Sequence, residues 1–176
     1  DDMLCKNALE NMNLFFNENP TAIAVVGKKV VIDEGNNTLR IAKSREYDYN
    51  YLLNDAKGIH QPSTFFKREV FEKIGYIDES YNYAMDRDFF IRIATIDKFY
   101  SLDKELAYFR LQSDSKTSQG VYNFAKELIK IRLKYKGDFL GRGNRDTIYI
   151  ILSEPFRRVK WLRNLVRGLK GVDKIK

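Results

Sequence analysis

Apolar residues recur at helical spacing along several stretches of the chain, and each of these stretches predicts a helix. The first contains Leu4, Ala8, Leu9, Met12, Phe15 and Phe16. The sequence Asn17-Glu-Asn-Pro20 ends it, because proline does not continue a helix. Further helices are predicted over residues 67–74, 86–96, 121–135 and 155–170, and Gly75 closes the helix over 67–74.

Short apolar runs predict strands. They lie at residues 22–26, 30–32, 38–41 and 106–111, and the second and third form a hairpin across residues 33–36. Pro62 disfavours a helix at the residue before it, so residues 61–66 are expected to be extended. Residues 43–58 are polar and rich in tyrosine, which predicts a long loop. The pattern is a mixed α/β fold with an incomplete sheet, in which no strand precedes the first helix.

The positive charge of the chain is concentrated at its C-terminal end. The net charge is +7, yet residues 1–140 hold 21 basic and 21 acidic residues, whereas residues 141–176 hold 10 and 3. This predicts a domain at residues 1–137 followed by a basic helical extension at 138–176. No basic stripe runs through the neutral part, so no nucleic-acid partner is expected. A single cysteine and a single histidine exclude an internal disulfide and argue against zinc.

Two acidic positions precede predicted helices and are candidates for chemistry. Asp1 and Asp2 are adjacent carboxylates, which suit a hard cation such as Mg²⁺ or Mn²⁺. Asp86 opens a later helix, where the helix dipole favours the ionised form that a general base needs. Both have a simpler alternative, since carboxylates at helix starts commonly act as caps. Asp88 is spaced to pair with Arg92 on the helix surface and is expected to be structural.

A polar run from Arg110 to Thr117 leaves the last predicted strand. Arg110 and Lys116 could steady a diphosphate, and the hydroxyl groups of the run offer further hydrogen bonds. The alternative is an exposed loop without a ligand.

Taken together and in this order, the segments over residues 1–120 resemble the C-terminal half of a family 2 glycosyltransferase with the GT-A fold. The matching text is Asp1-Asp2-Met-Leu, Phe-Phe-Asn-Glu-Asn-Pro20, Val25-Val-Gly27, Ile32-Asp-Glu-Gly35, Gln61-Pro-Ser-Thr-Phe-Phe66, Gly75-Tyr-Ile-Asp-Glu79, Met85-Asp-Arg-Asp-Phe-Phe-Ile-Arg-Ile-Ala94 and Leu106-Ala-Tyr-Phe-Arg-Leu-Gln-Ser-Asp-Ser-Lys-Thr117. The resemblance implies a partial GT-A fold, a three-layer α/β architecture with a mixed sheet, followed by C-terminal amphipathic helices.

The resemblance also implies roles for individual residues. In such enzymes an acidic motif holds the metal ion that bridges the phosphates of a nucleotide-sugar, and a later aspartate deprotonates the acceptor hydroxyl. Asp1 and Asp2 would therefore bind Mg²⁺ or Mn²⁺, and Asp86 would be the base of an inverting displacement. The implied substrate-binding residues are Gln61, Pro62, Ser63, Arg110 and Lys116. The chain departs from the family at Met85, where an acid is common, and at Gln112, where many members carry a histidine near the metal.

The partners follow from the same resemblance. The donor would be a nucleotide-diphospho-sugar and the acceptor a glycan or lipid-linked molecule, in bacterial surface polysaccharide or glycan synthesis in the cytoplasm. The match begins part-way through the family's domain, so the sequence is expected to lack the N-terminal nucleotide-binding half and to bind donor weakly. The alternative hypotheses are an inactive remnant or scaffold and a nucleic-acid-binding domain with a basic tail.

Residues 155–170 combine an apolar face with a cationic one. The residues expected to face a membrane are Phe156, Trp161, Arg157, Lys160, Arg163 and Arg167. This pattern is typical of a helix in a membrane interface that contains anionic lipid. Peripheral attachment at the inner face of the membrane is therefore expected. The alternative is a terminal helix packed on its own domain or on a partner.

Overall fold

The computed structural model describes residues 2–55, 58–111, 120–138 and 141–158. Within them the strands are β1 (Met3–Leu4), β2 (Ala24–Ile32), β3 (Thr38–Ala42), β4 (Thr64–Phe66) and β5 (Tyr100–Arg110). They form one mixed sheet in the order β1-β5-β2-β3, with β4 also paired to β2. The β2–β5 pair is parallel and the other pairs are antiparallel. The predicted mixed α/β class is confirmed.

The centre of the sheet is β2, which has β5 along one edge and β3 and β4 along the other. Two separate strands were expected at 22–26 and 30–32, but the intervening residues continue the ladder and β2 is a single strand. Gly27 permits this, because a Cβ there would lie 2.3 Å from Cγ of Leu106 on the neighbouring strand. The predicted hairpin between β2 and β3 is confirmed.

The described helices are α1 (Ala8–Glu18), α2 (Tyr49–Asn54), α3 (Glu69–Ile74), α4 (Met85–Ala94), α5 (Val121–Lys134) and α6 (Arg142–Arg158). The predictions of α1, α3, α4 and α5 are confirmed to within a few residues, and Gly75 closes α3 with a positive φ of 76°. The prediction that residues 43–58 form a loop is wrong in part, because these residues contain α2. The Asp48 carboxylate starts that helix by accepting the backbone N–H of Tyr51 at 2.7 Å.

Helices cover both faces of the sheet. On one face Val25 of β2 is buried in a cluster with Phe15 of α1. On the other face Val26 packs in a larger cluster with α2, α4 and α5, which includes Leu52, Phe89 and Ile131. Because successive side chains of a strand point to opposite faces, the apolar run of β2 contributes to both clusters. The arrangement is that of three layers.

Two further expectations are corrected at the ends of the chain. Leu4 belongs to β1, so a strand does precede the first helix, and its residues pair with Tyr108 and Ala107 of β5. The helix expected to begin at residue 155 begins at Arg142. It packs against α5, so residues 142–158 are anchored to the preceding layer. The division at residue 137 stays a prediction.

None of the helices in the described ranges is long and apolar enough to cross a bilayer.

Candidate functional site

Asp2 lies in a cleft beside the first residues of the predicted substrate segment. The cleft, about 220 Å³ in volume, is lined by Asp2, Met3, Leu4, Gln61, Pro62 and Ala107. Asp2 is exposed, and its Oδ1 atom accepts the backbone N–H of Arg110 at 3.1 Å. The pairing of β1 with β5 creates this contact, because it brings the start of the chain to the end of β5. The structure therefore brings together Asp2, Gln61 and Pro62, which the sequence predicts to share a site.

The donor set at this cleft fits only one kind of metal site. Among the described residues no group of three or more acidic, histidine or cysteine side chains could hold an ion. One open carboxylate at Asp2 suits a hard cation such as Mg²⁺ or Mn²⁺, which takes one or two protein carboxylates and the rest of its ligands from phosphate and water. It does not suit zinc, which is bound by several protein ligands. Asp1 and Gln112 lie outside the described residues.

Two of the predicted substrate residues are engaged in holding the fold. The guanidinium of Arg110 donates to the carbonyl oxygens of Asp33 and Glu34 at 3.1 and 3.2 Å and to the amide oxygen of Asn36 at 2.7 Å. These bonds fix the turn between β2 and β3. The buried Ser63 hydroxyl donates to the Gly27 carbonyl at 3.1 Å. Their roles in substrate binding remain predictions, as does that of Lys116, which lies outside the described residues.

Asp86 lies in the first turn of α4, but a different residue satisfies the loop before that helix. Ala84 is at the N-cap position and offers no side-chain cap. The Glu127 carboxylate, from α5, accepts the backbone N–H groups of Asn82, Tyr83 and Ala84 at 3.0, 2.8 and 2.8 Å. Asp86 is therefore not the N-cap residue of α4, which was the simpler alternative for its role.

The electrostatic environment of Asp86 makes it a stronger base than an ordinary aspartate. Burial raises the pKa of its carboxyl group, and this outweighs the opposing effects of the Arg87 backbone N–H and of the Arg87 charge. That N–H donates to Oδ1 of Asp86 at 2.8 Å. A carboxylate with a raised pKa has a higher affinity for a proton, which is what general-base catalysis uses.

The next acidic residue on α4, Asp88, has a structural role, as its spacing from Arg92 predicts. The expected position on the helix surface is wrong, because Asp88 is fully buried; its carboxylate accepts a hydrogen bond from Nε of Arg92 at 2.9 Å. It also accepts Nζ of Lys134 at 3.0 Å and the hydroxyl of Tyr135 at 2.8 Å. These bonds attach α4 to the end of α5 and fix the helix that carries Asp86.

A short segment connects the surroundings of Asp86 with the Asp2 cleft. The position that a Cβ would take at Gly58 lies 3.3 Å from Nη1 of Arg87, the residue after Asp86. Four residues further on, Pro62 lines the cleft of Asp2. Four residues span at most about 14 Å even when fully extended, and here the span ends in a 3₁₀ turn. This short stretch of chain therefore links the side chain of Arg87, the neighbour of Asp86, to the Asp2 cleft.

Comparison of the chain with protein-family models and with curated proteins finds no match.

Of the six residues predicted to face a membrane, two lie in the last described helix and four lie outside the described residues. Phe156 and Arg157 belong to α6. Lys160, Trp161 and Arg163, like Arg167, lie outside the described residues.

Three contributions to the site were missed from the sequence. Glu127 gives no local signal, because its partners are more than forty residues away. Gly120 lies under the ring of Tyr83, so closely that a Cβ there would be 2.1 Å from Cε1 of the ring. Arg132 did give a signal, because this arginine occupies the apolar stripe of the predicted helix, and the structure buries it at 2% exposure.

Proposed function

We propose that the chain is part of an inverting glycosyltransferase that transfers a sugar from a nucleotide-diphospho-sugar to a hydroxyl group. Two independent lines of support meet in this proposal. One is the order of the sequence segments that resemble family 2 glycosyltransferases. The other is that an open carboxylate at Asp2 and a half-buried carboxylate of raised pKa at Asp86 are linked through the short segment over residues 58–62. A GT-A architecture is consistent with the three layers and the mixed sheet.

The observation that carries the proposal is the state of Asp86. Burial raises the pKa of the Asp86 carboxyl group. Glu127, and not Asp86, accepts the backbone N–H of Ala84 in the loop before α4. Arg87 and Asp88, the two residues that follow it, are both buried. A carboxylate held this firmly and left with a high proton affinity is suited to remove a proton from a bound hydroxyl.

The proposed reaction is a single displacement. The acceptor oxygen attacks the anomeric carbon of the donor, the bond from that carbon to the diphosphate breaks, and configuration at the carbon is inverted. Asp86 accepts the proton that the acceptor hydroxyl loses. The diphosphate leaves without protonation, so one base is enough, whereas a glycoside hydrolase normally uses two carboxylates.

Asp2 would hold the donor end of the site. A Mg²⁺ or Mn²⁺ ion bound there would offset the negative charge that builds on the leaving diphosphate. Gln61 and Pro62 line the same cleft and would contact the donor sugar or its phosphates. Asp1, Gln112 and Lys116 belong to this proposal by the resemblance alone.

The location and the remaining partners are part of the same proposal. The protein would act in the cytoplasm on a glycan or lipid-linked acceptor, in the synthesis of a bacterial surface polysaccharide or related glycan. Residues 155–170 would attach it to the inner face of an anionic membrane through their basic and apolar positions.

The test is a transfer assay on the longest polypeptide that the gene encodes, with a panel of nucleotide-sugars and Mn²⁺. Replacing Asp86 with asparagine should lower the rate by about 10²–10⁴-fold, because the base is lost while the shape is kept. The matched control is Asp103→Asn, which removes a surface carboxylate paired with Lys28 and should leave the rate unchanged.

Donor binding is measured separately by isothermal titration of the 176-residue chain with nucleoside diphosphate and Mn²⁺. Weak binding, in the millimolar range or beyond, is expected for this chain alone. Equal transfer rates of the Asp86→Asn variant and the unmodified polypeptide would overturn the proposed function.

A further inference from the structure

A second cavity, about 390 Å³ in volume, borders the segment that leads to the Asp2 cleft. It is lined by Lys43, Arg45, Tyr47, Tyr51, Asp55, Gly58, His60 and Asp146. These residues come from the segment after β3, from α2, from the segment before the 3₁₀ turn and from α6. The volume lies in the lower part of the range of small-molecule sites, about 300–1,000 Å³.

Two cations of this cavity form no salt bridge with the described residues. Lys43 and Arg45 are both exposed, and neither forms a salt bridge with any residue that the structure describes. The Arg45 guanidinium lies 4.3 Å from the centre of the Tyr51 ring. Stacking of this kind holds the guanidinium plane in place while its N–H groups remain able to form paired hydrogen bonds with a carboxylate or phosphate.

The two acidic residues of the cavity interact with buried arginine side chains. Asp55 and Asp146 both raise the pKa of Arg132, although burial lowers it overall, so their charges face that buried guanidinium. Asp55 acts in the same sense on the pKa of Arg87. Both arginines also donate to the Asp55 carbonyl oxygen. The charges of these carboxylates are therefore partly offset by Arg132 and Arg87, and not by Lys43 and Arg45 alone.

His60 adds a polar group without a protein partner. Within the described part of the chain, its Nδ1 atom is the one buried side-chain nitrogen or oxygen that has no hydrogen-bond partner. Burial, and then the charges of Lys29 and Arg40, lower the pKa of His60 to about 4, so the ring is neutral at neutral pH. Buried polar atoms of proteins are nearly always hydrogen-bonded, so this neutral ring in the wall of the cavity is an exception.

The wall of the cavity contacts the residue that follows the proposed base. Gly58 is part of this wall, and it lies against the guanidinium of Arg87, the residue after Asp86 in α4. This contact relates the cavity to the helix that carries Asp86.

We propose that this cavity binds the acceptor, and that the acceptor is a sugar carrying a negatively charged group, either a carboxylate or a phosphate. Arg45 and Lys43 bind the anionic group, and the neutral His60 ring forms part of the wall that the sugar contacts. This assignment of the acceptor class rests on the proposed function, but binding to the cavity is measurable without a donor or a transfer reaction.

The test is equilibrium binding of four probes to the 176-residue chain, by titration calorimetry at low ionic strength. The probes are glucuronate, glucose 1-phosphate, glucose and inorganic phosphate. The cavity variant is Lys43→Gln with Arg45→Gln, and the matched control is Arg68→Gln with Lys73→Gln on α3, which removes the same charge outside the cavity. Thermal unfolding of each variant confirms that it is folded.

At least one of the two anionic sugars should bind more tightly than glucose and than inorganic phosphate. Which one binds identifies the group as a carboxylate or a phosphate. The cavity variant should weaken this binding about tenfold or more, and the control variant should not. The proposal would be overturned if neither anionic sugar bound more tightly than glucose and inorganic phosphate, or if the two variants lost equal affinity. If the chain binds an anionic sugar but the longest polypeptide that the gene encodes transfers no sugar, the proposed function is refuted and the binding site stands.

Discussion

The Glu127 carboxylate accepts a hydrogen bond from the backbone N–H of Ala84 at 2.8 Å. A residue of α5 thus supplies the hydrogen-bond acceptor for the residue immediately before α4. The N–H groups at the start of a helix have no partners within the helix itself. Supplying an acceptor from a neighbouring helix fixes the start of α4 against α5. It also leaves the carboxylate of Asp86, two residues later, available for other chemistry.

Replacing Glu127 with alanine should lower the free energy of unfolding by about 2–3 kcal/mol, because three N–H groups lose a charged acceptor. Glu127→Gln should cost less, since one oxygen acceptor remains. Denaturation by urea measures both. Glu72→Ala, an exposed glutamate of α3, is the control and should have little effect. If Glu127→Ala were as stable as the control, the capping role would be refuted.

Arg132 holds three elements together, and its loss should be among the most costly substitutions. Its guanidinium donates to the carbonyl oxygens of Leu53, Asp55 and Gly143 at 3.1, 3.0 and 3.0 Å, and to the hydroxyl of Thr147 at 2.7 Å. Arg132→Met should lower the free energy of unfolding by about 3 kcal/mol or more, since several buried acceptors lose their partner.

The matched control for this change is Lys130→Met, at an exposed position of the same helix. Arg132→Lys should give an intermediate loss, because an ammonium group cannot reach all of the acceptors that the guanidinium reaches. Guanidinium denaturation compares the three variants. Equal stability of Arg132→Met and Lys130→Met would contradict the structural role.

Stability should depend on pH through His60. Its pKa is about 4 in the folded protein, below its ordinary value of 6.5, because of burial and the charges of Lys29 and Arg40. Between these pH values the unfolded chain binds a proton that the folded chain does not, so the His60 contribution to stability falls as the pH falls from 6.5 to 4. Below pH 4 both states are protonated and the contribution is constant.

Comparison with His60→Gln isolates this contribution. The stability difference between the unmodified chain and the variant should change by about 1–2 kcal/mol over that range, less than the full shift implies because the ring is partly exposed. The raised pKa of Asp86 acts in the opposite direction, but it is present in both proteins and cancels. Urea denaturation at several pH values gives the difference, and a pH-independent difference would be the contrary result.

The basic segment at the C-terminal end should respond to lipid charge. A peptide of residues 153–176 should gain helicity with vesicles that contain anionic lipid and not with neutral vesicles. A second peptide with glutamine in place of Arg157, Lys160, Arg163 and Arg167 keeps the apolar face and should lose the preference. Circular dichroism measures both, and an equal response to the two kinds of vesicle would contradict the membrane proposal.

The elements that position Asp86 were predictable because their signals are local. The apolar positions of α4 and α5 recur at helical spacing, and the residues of the structural pair, Asp88 and Arg92, lie one turn apart. For α2 the local signal was the capping residue Asp48. The tyrosines that follow it obscure the helical spacing of the apolar residues. Strand β1 has two residues and forms only because β5 lies beside it, which a pattern of apolar residues does not reveal.

The second cavity could not be predicted, because its residues come from distant parts of the chain. Lys43 and Asp146 are about one hundred positions apart and meet only when α6 packs against α5 and α2. The unpaired nitrogen of His60 is likewise a property of the folded packing. Tertiary contacts of this kind decide which polar residues are left for a ligand and which, like Arg110, are engaged in holding a turn.

The close packing of Gly120 under Tyr83 has a consequence for substitution of this glycine. A Cβ there would lie 2.1 Å from Cε1 of the Tyr83 ring, and Tyr83 belongs to the loop that Glu127 holds before α4. A larger residue at position 120 would therefore displace the loop that leads to Asp86, and a substitution remote from the carboxylate would change the geometry of the proposed base.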